Sequence, residues 1–282
     1  MSVEKEAKPL SLPLSAQGYA KANEAFRRCW QADRPQVLAF LRQNLPSYVN
    51  GELSVLGIGV GDGEFDIQLI DFLYKELGVG RLFYSALEPN EAQLQGFQRR
   101  AEAANLSTTH FEYVLSTAEE FKPERSYGLI HFIHSLYHMP TQEERLILDA
   151  HRWLGDGGHV LISLSSEQGG IYQLMNRFWN RIDYSFFTSG LFGQESLLAV
   201  LDRNKLNYRY ELYPEVAIDV TACFDRESEL GRDLLNFLLQ ADIRSAPTEL
   251  YEDILAALDE LAYSQDDKRL LSHPSGVFLI SA

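Results

Sequence analysis

Cysteine is nearly absent from this chain: Cys29 and Cys223 are the only two in 282 residues. Two thiols are too few for a disulfide framework or a thiolate zinc site, and they suit a reducing compartment as small apolar side chains. Positive charge is also scarce. Lys and Arg total 25 against 40 Asp and Glu, a net charge of −15, and no basic run reverses it locally. Such a surface repels phosphate backbones and anionic lipid, so neither nucleic acid nor a membrane is an expected partner. Long apolar runs are missing too. The opening MSVEKEAKPLSLPLS has no stretch suited to a signal peptide, and no later segment approaches the roughly 20 apolar residues of a membrane span. A soluble, cytoplasmic monomer acting on a small molecule is expected. No repeat, heptad run or low-complexity linker is present, which leaves an ordinary globular composition.

What is present is alternation. SVLGIG, LFYSALEP, HFEYVLS, YGLIHFIHSLYH and GHVLISL read as strands; GEFDIQLIDFLYKEL, NEAQLQGFQRRAEAA and TQEERLILDAHRWL read as helices, the last followed by a GDGG turn. Two short helices, broken near Ala32-Asp33-Arg34-Pro35, precede the first strand. This alternation predicts an α/β fold with a parallel sheet and helices on both faces. After Leu164 the aromatic-rich GGIYQLMNRFWNRIDYSFFTSG interrupts it. A helix near Gln194 to Arg203 and a strand at YRYELYPEV resume it, and a polar helical stretch from about Glu227 to Leu261 precedes the terminal strand GVFLISA. The expected organisation is a helical cap over 1–50 and a cofactor-binding core over 51–164 that continues at 194–216. Insertions occupy 165–193 and 217–272, and the last core strand lies in 273–282.

The first strand runs into a comb of glycines, Gly57, Gly59, Gly61 and Gly63. Glycine lets the chain turn sharply and lets a ligand approach the backbone, a device common to dinucleotide and methyltransferase folds. A pyrophosphate asks for G-x-G-x-x-G and a helix N-terminus clear of acids. Here Asp62 and Glu64 stand at the helix start, which favours a cationic or uncharged ligand such as S-adenosylmethionine. Glu88 ends the second strand, where a carboxylate can accept bonds from ribose hydroxyls. Ser116 or Thr117, after the third strand, can meet an adenine edge or cap a following helix.

The comb, LEPNEAQ, IHFIHSLYH, FRRCW near the start and TACFDRESELGRDLLNFL near the end make the chain similar, with gaps over nearly its whole length, to the histamine N-methyltransferases. The resemblance implies a Rossmann-like class I methyltransferase: a seven-stranded, mostly parallel sheet with the last strand antiparallel, and an added helical substrate-binding region. It implies S-adenosylmethionine as cofactor, held at Gly57, Gly59, Gly61, Glu88, Gln93, Ser116 or Thr117 and Ile133, and methyl transfer to nitrogen of a small amine or imidazole. The substrate contacts it implies are Tyr19, Phe26, Tyr137, His138, Ile171, Met175, Phe178 and Phe237, and an acid of the first helical segment whose place falls to Asp33 or Arg34. Asp33 toward the substrate favours a cationic amine; Arg34 there favours a carboxylate-bearing one.

The chain departs from the family where the imidazole is held. His134 stands in place of a glutamine, His273 in place of an asparagine, and Ile171 and Met175 in place of tryptophans. Histamine itself is therefore not the expected acceptor. A histidine with an ordinary pKa near ~6.5 can accept a proton at neutral pH, so His134 and His273 are the candidate catalytic residues. His131, His134, His138 and His273 do not form a metal set with any Cys or acid, and no metal is expected. The expected function is N-methylation of a small amine or imidazole-type metabolite. O- or C-methylation, and cofactor binding without catalysis, are the alternatives.

Overall fold

The computed structural model describes residues 8–31, 33–48, 51–185, 187 and 190–282. Ala32 of the expected helix break lies outside them, as do residues 1–7 of the opening stretch, 49–50 at the end of the expected cap, and 186 and 188–189 of the aromatic-rich stretch.

In chain order the helices are α1 (Ala16–Cys29), α2 (Arg34–Asn44), α3 (Glu64–Lys75), α4 (Glu91–Ala103), α5 (Glu143–Arg152), α6 (Gly170–Arg177), α7 (Gln194–Arg203), α8 (Glu229–Leu239) and α9 (Thr248–Leu261). The strands are β1 (Glu52–Ile58), β2 (Arg81–Leu87), β3 (Thr109–Val114), β4 (Tyr127–Ile133), β5 (Leu154–Ser165), β6 (Tyr208–Tyr213), β7 (Ala217–Asp219), β8 (Ala262–Gln265), β9 (Lys268–Ser272) and β10 (Ser275–Ser281). They fall into two units. A sheet unit comprises Asp33–Ser165, Phe192–Tyr213 and Ser275–Ala282; a helical unit comprises Met1–Ala32, Ser166–Leu191 and Pro214–Pro274. Among the described residues no helix is long and apolar enough to cross a membrane.

In the sheet unit, seven strands lie in the order β3-β2-β1-β4-β5-β10-β6. β1 to β5 pair in parallel, and β10 runs antiparallel between β5 and β6. Both faces are buried. Val55, Leu129, Leu161 and Val277 pack with Phe40, Leu69 and Leu73 on one side; Leu56, Ile130, Phe132 and Phe278 pack with Ile147 and Leu201 on the other. Double burial is why these strands read as continuous apolar runs instead of alternating ones. The strand order reverses between β1 and β4, where an open α/β sheet opens a crevice beyond its carboxyl ends.

Some local expectations change. The glycines of GDGG belong to an irregular start of β5, with a register shift against Tyr127 and Leu129. A Cβ on Gly158 would stand 2.8 Å from the Tyr127 carbonyl oxygen, so only glycine passes there. Residues 115–126, between β3 and β4, form turns and no helix, so Ser116 and Thr117 cap none. YRYELYPEV divides at Pro214: β6 stays in the large sheet and Val216 leads into β7.

The helical unit packs α1, α6, α8 and α9 around Leu174, Leu234, Leu238, Ile254 and Leu258. Its small antiparallel sheet has the order β7-β9-β8. The β8–β9 hairpin turns through Asp266 and Asp267, whose φ of +48° and +61° are those of a tight turn that matches strand twist. Two aspartates give a weaker signal than Asn-Gly, and the hairpin is absent from the sequence reading. Cys223 is buried in this core, where burial pushes its thiol up, and Cys29 is half-buried.

Candidate active site

The glycine comb leaves β1 in a left-handed zigzag: Gly59, Gly61 and Gly63 have φ of +70°, +59° and +72°. A Cβ on Gly59 would lie 2.7 Å from the Ser135 Cβ, whereas a Cβ on Gly61 would meet nothing within 4 Å. Packing therefore explains Gly59, and open space stands over Gly61. Glu88, buried at the end of β2, braces the turn: Oε2 accepts from the Gly61 N–H at 2.9 Å and Oε1 from the Asn90 N–H at 3.0 Å. A carboxylate has about four lone-pair sites, so two remain for hydroxyl donors.

The acids at the helix start are not bare. Asp62 meets Arg100 at 2.8 Å and Glu64 meets Arg34 at 2.7 Å. The negative field expected at this turn is thereby largely offset, and the charge of Arg34 is engaged beside α3. Around the turn, Ile133 is half-buried at the end of β4 and Ser116 and Thr117 are half-buried after β3. Gln93 is exposed in the first turn of α4, with its N–H on Asn90 Oδ1.

Beyond β4 the chain enters a left-handed residue, His134, at φ +52°. Its Nε2 lies 2.9 Å from Asp33 Oδ2, and Asp33 is fully buried. The same oxygen accepts from Ser163 Oγ of β5 at 2.6 Å and from Ser275 Oγ of β10. Burial opposes the charge of Asp33, but the His134 ring and the hydrogen bonds from His134, Ser163 and Ser275 outweigh it and hold the carboxyl well below the usual carboxylate range. A depressed carboxyl stabilises the fold above the pH at which an unfolded aspartate takes up its proton, about 3.9, and that contribution drains away as pH falls toward the folded value. Urea midpoints between about pH 6 and pH 3.5 are expected to fall more steeply in the wild type than in Asp33→Asn.

His131 faces elsewhere. It is a packed strand histidine, buried beside Gly57, with Nε2 at 2.7 Å from the Tyr84 hydroxyl, which donates to Asp66 Oδ1 at 2.5 Å. Burial, then the charge of Asp66, drives the Tyr84 hydroxyl well above its ordinary pKa. Tyr137 and His138 lie in the short turn after His134, with the Tyr137 ring 6.2 Å from the His134 ring. Among the described residues no three His, Cys, Asp or Glu side chains gather so as to hold a metal ion.

The remaining candidates belong to the helical unit. Phe26 stacks on Phe237 at 4.1 Å and on Trp30 at 5.2 Å, and Tyr19 tilts against Phe237 at 6.4 Å. The His273 ring stands nearly perpendicular to the rings of Phe26 and Trp30, and its backbone N–H donates to the Val216 carbonyl at 2.9 Å. Met175 and Phe178 are buried in the core of this unit, with Ile171 at its margin.

Sequence reading missed Ser135, Ser163 and Ser275. Each is buried; Ser163 lies within the otherwise apolar run 160–164 of β5, and Ser275 heads the apolar run 276–280 of β10. A lone hydroxyl in such a run is the signal that could have found them, because a buried polar group must have a partner.

A family model for a methyltransferase domain matches residues 30–210, well over half of the chain. The chain belongs to that family, and its cofactor is S-adenosylmethionine. It is similar to the histamine N-methyltransferase of Xenopus tropicalis, 27% identical over 245 residues, 81% of each chain. It is likewise similar to that of Rattus norvegicus, 26% identical over 261 residues, 86% of this chain and 87% of the rat enzyme. The solved YcgJ protein of Bacillus subtilis shares the fold, with a TM-score of 0.55 at 13% identity over 88% of this chain and 98% of that one. The architecture is the Rossmann-like class I methyltransferase fold.

Proposed function

We propose that the chain transfers a methyl group from S-adenosylmethionine to a nitrogen of a small amine or imidazole-type metabolite other than histamine. The carrying observation is the Asp33–His134 pair beyond β4, next to the glycine turn: a histidine backed by a buried carboxylate where this class of sheet receives its ligands. The names of the similar animal enzymes support nitrogen as the acceptor atom. The two histidines that replace the family's imidazole-holding amides argue against histamine.

In this reading Gly61, with open space over it, gives the cofactor close access to the backbone, Gly57 and Gly59 keep the turn's shape against Val60, His131 and Ser135, and Glu88 accepts the ribose hydroxyls. Gln93, Ser116 or Thr117, and Ile133 line the rest of its site. The cofactor supplies an electrophilic methyl on a sulfonium. The protein's work is to hold a neutral nitrogen in line, about 3 Å away, and to receive its proton. In the helical unit, the Phe26 ring is stacked on both Phe237 and Trp30, so it serves the packing of that unit and offers no face to a ligand.

Calorimetry is expected to show binding of S-adenosylhomocysteine, and methyl-labelled cofactor is expected to label amines or imidazoles from a panel that includes phenols. Labelled phenols alone would turn the reading to oxygen methylation, and binding without turnover would leave a cofactor-binding protein. Absence of binding would overturn it.

A further inference from the structure

Asp33 is used in an uncommon way. An aspartate just before a helix ordinarily accepts from the N–H groups of the first turn, worth about 1 kcal/mol. The Asp33 side chain makes no such bond to α2. It turns instead to His134, Ser163 and Ser275, which come from the ends of three strands. A carboxylate can only accept, so the His134 Nε2 must be the donor of that bond. A hydrogen on Nε2 puts the lone pair of the neutral imidazole on Nδ1. The backbone of His134 is also fixed, since its N–H donates to the Ser163 carbonyl at 2.9 Å. The next residue, Ser135, donates to the Ile58 carbonyl at 2.7 Å and packs on Gly59, which ties the histidine to the end of β1. The other titratable side chains of this turn are Tyr137 and His138, and neither supplies a carboxylate.

We propose that Asp33 is a positioning residue and His134 the base of a proton-accepting pair, and that the methyl acceptor is a primary or secondary amine arriving in its ammonium form. The inference rests on the N-methyltransferase reading and narrows it. An ammonium has no lone pair and must lose a proton before it can attack, whereas an imine-type ring nitrogen arrives with its lone pair exposed and needs no base. A histidine locked to a buried carboxylate has work only in the first case. The ammonium gives its proton to His134 Nδ1, and the lone pair left on nitrogen forms the new N–C bond as the C–S bond breaks with its electron pair going to sulfur. The product amine carries one positive charge, and His134 passes the second to solvent as one proton per methyl transferred.

Nitrogen-15 NMR of the whole chain, labelled at histidine, reads the pair without any turnover. The wild type is expected to show His134 as the Nε2–H tautomer, and Asp33→Asn a mixture of both tautomers, with S-adenosylhomocysteine affinity within about threefold of wild type. With an amine that the panel identifies, Asp33→Asn is expected to lower kcat by about tenfold or more while KM moves by less than about threefold; His134→Gln is expected to lower kcat by about 100-fold. A wild-type ring found as Nδ1–H would overturn the proposal, and this holds even if Asp33→Asn does not fold. So would an Asp33→Asn variant with KM raised about tenfold and kcat unchanged. That result would mean that Asp33 holds the substrate's charge directly through Oδ1, which is buried and accepts nothing among the described residues. Labelling of imidazoles but of no amine would refute the acceptor class and leave N-methylation standing.

Discussion

Gly61→Ala is expected to leave the chain folded and to cost it about 100-fold in affinity for S-adenosylhomocysteine, about 2.8 kcal/mol, whereas Gly59→Ala is expected to damage the fold itself. Both positions are left-handed, which burdens any side chain by roughly 1–2 kcal/mol. They differ in what the new methyl meets. At Gly61 it meets nothing within 4 Å, so strain is the whole cost to stability and the methyl projects into the space over the turn. At Gly59 it meets the Ser135 Cβ at 2.7 Å, and Ser135 is itself buried and bonded to Ile58. Displacing it adds about 1–3 kcal/mol of overpacking, a large share of a typical domain's 5–15 kcal/mol. Urea midpoints and calorimetric affinities separate the two effects. Wild-type affinity in Gly61→Ala would mean that the cofactor does not approach the backbone there.

The sheet was legible because its strands are buried on both faces and separated by helices with clear periodicity; β1 to β5, α3 to α5 and α7 stand near their expected positions. The glycine comb and Glu88 were legible because left-handed turns and a carboxylate at a strand's end leave direct marks on residue type. The Asp33 network was not. It joins residues 101, 130 and 242 positions apart, and no periodicity links a residue in a helix break to hydroxyls in two distant strands. The pairing of Asp62 with Arg100 and Glu64 with Arg34 was hidden for the same reason, so the charge at the turn read from local sequence came out too negative. The β8–β9 hairpin escaped because its turn is made by two aspartates next to a polar helical stretch. Local signals fixed the elements, and the chemistry came from contacts that only the topology creates.

Glu88→Gln, though nearly the same shape, is expected to lose about 100-fold in S-adenosylhomocysteine affinity and about 1–3 kcal/mol of stability. Glu88 accepts two backbone N–H groups, one on each carboxylate oxygen. Glutamine has one acceptor oxygen and one NH2, so either the Gly61 or the Asn90 N–H would face another donor, and a buried donor without an acceptor costs about 1–3 kcal/mol. If the Gly61 side is the one that breaks, the turn proposed to carry the cofactor is no longer held to β2. The acceptor capacity left for ribose hydroxyls is also cut, because the NH2 cannot receive them. Glu88→Asp tests reach separately: with one methylene fewer, it can brace one N–H but not both. The expected order of affinity is wild type, then Asp, then Gln, with Ala lowest, and calorimetry with melting curves for the four proteins measures it. A fall in melting temperature without a fall in affinity would reduce Glu88 to a brace of the turn, and wild-type values in both for Glu88→Gln would remove it from the site.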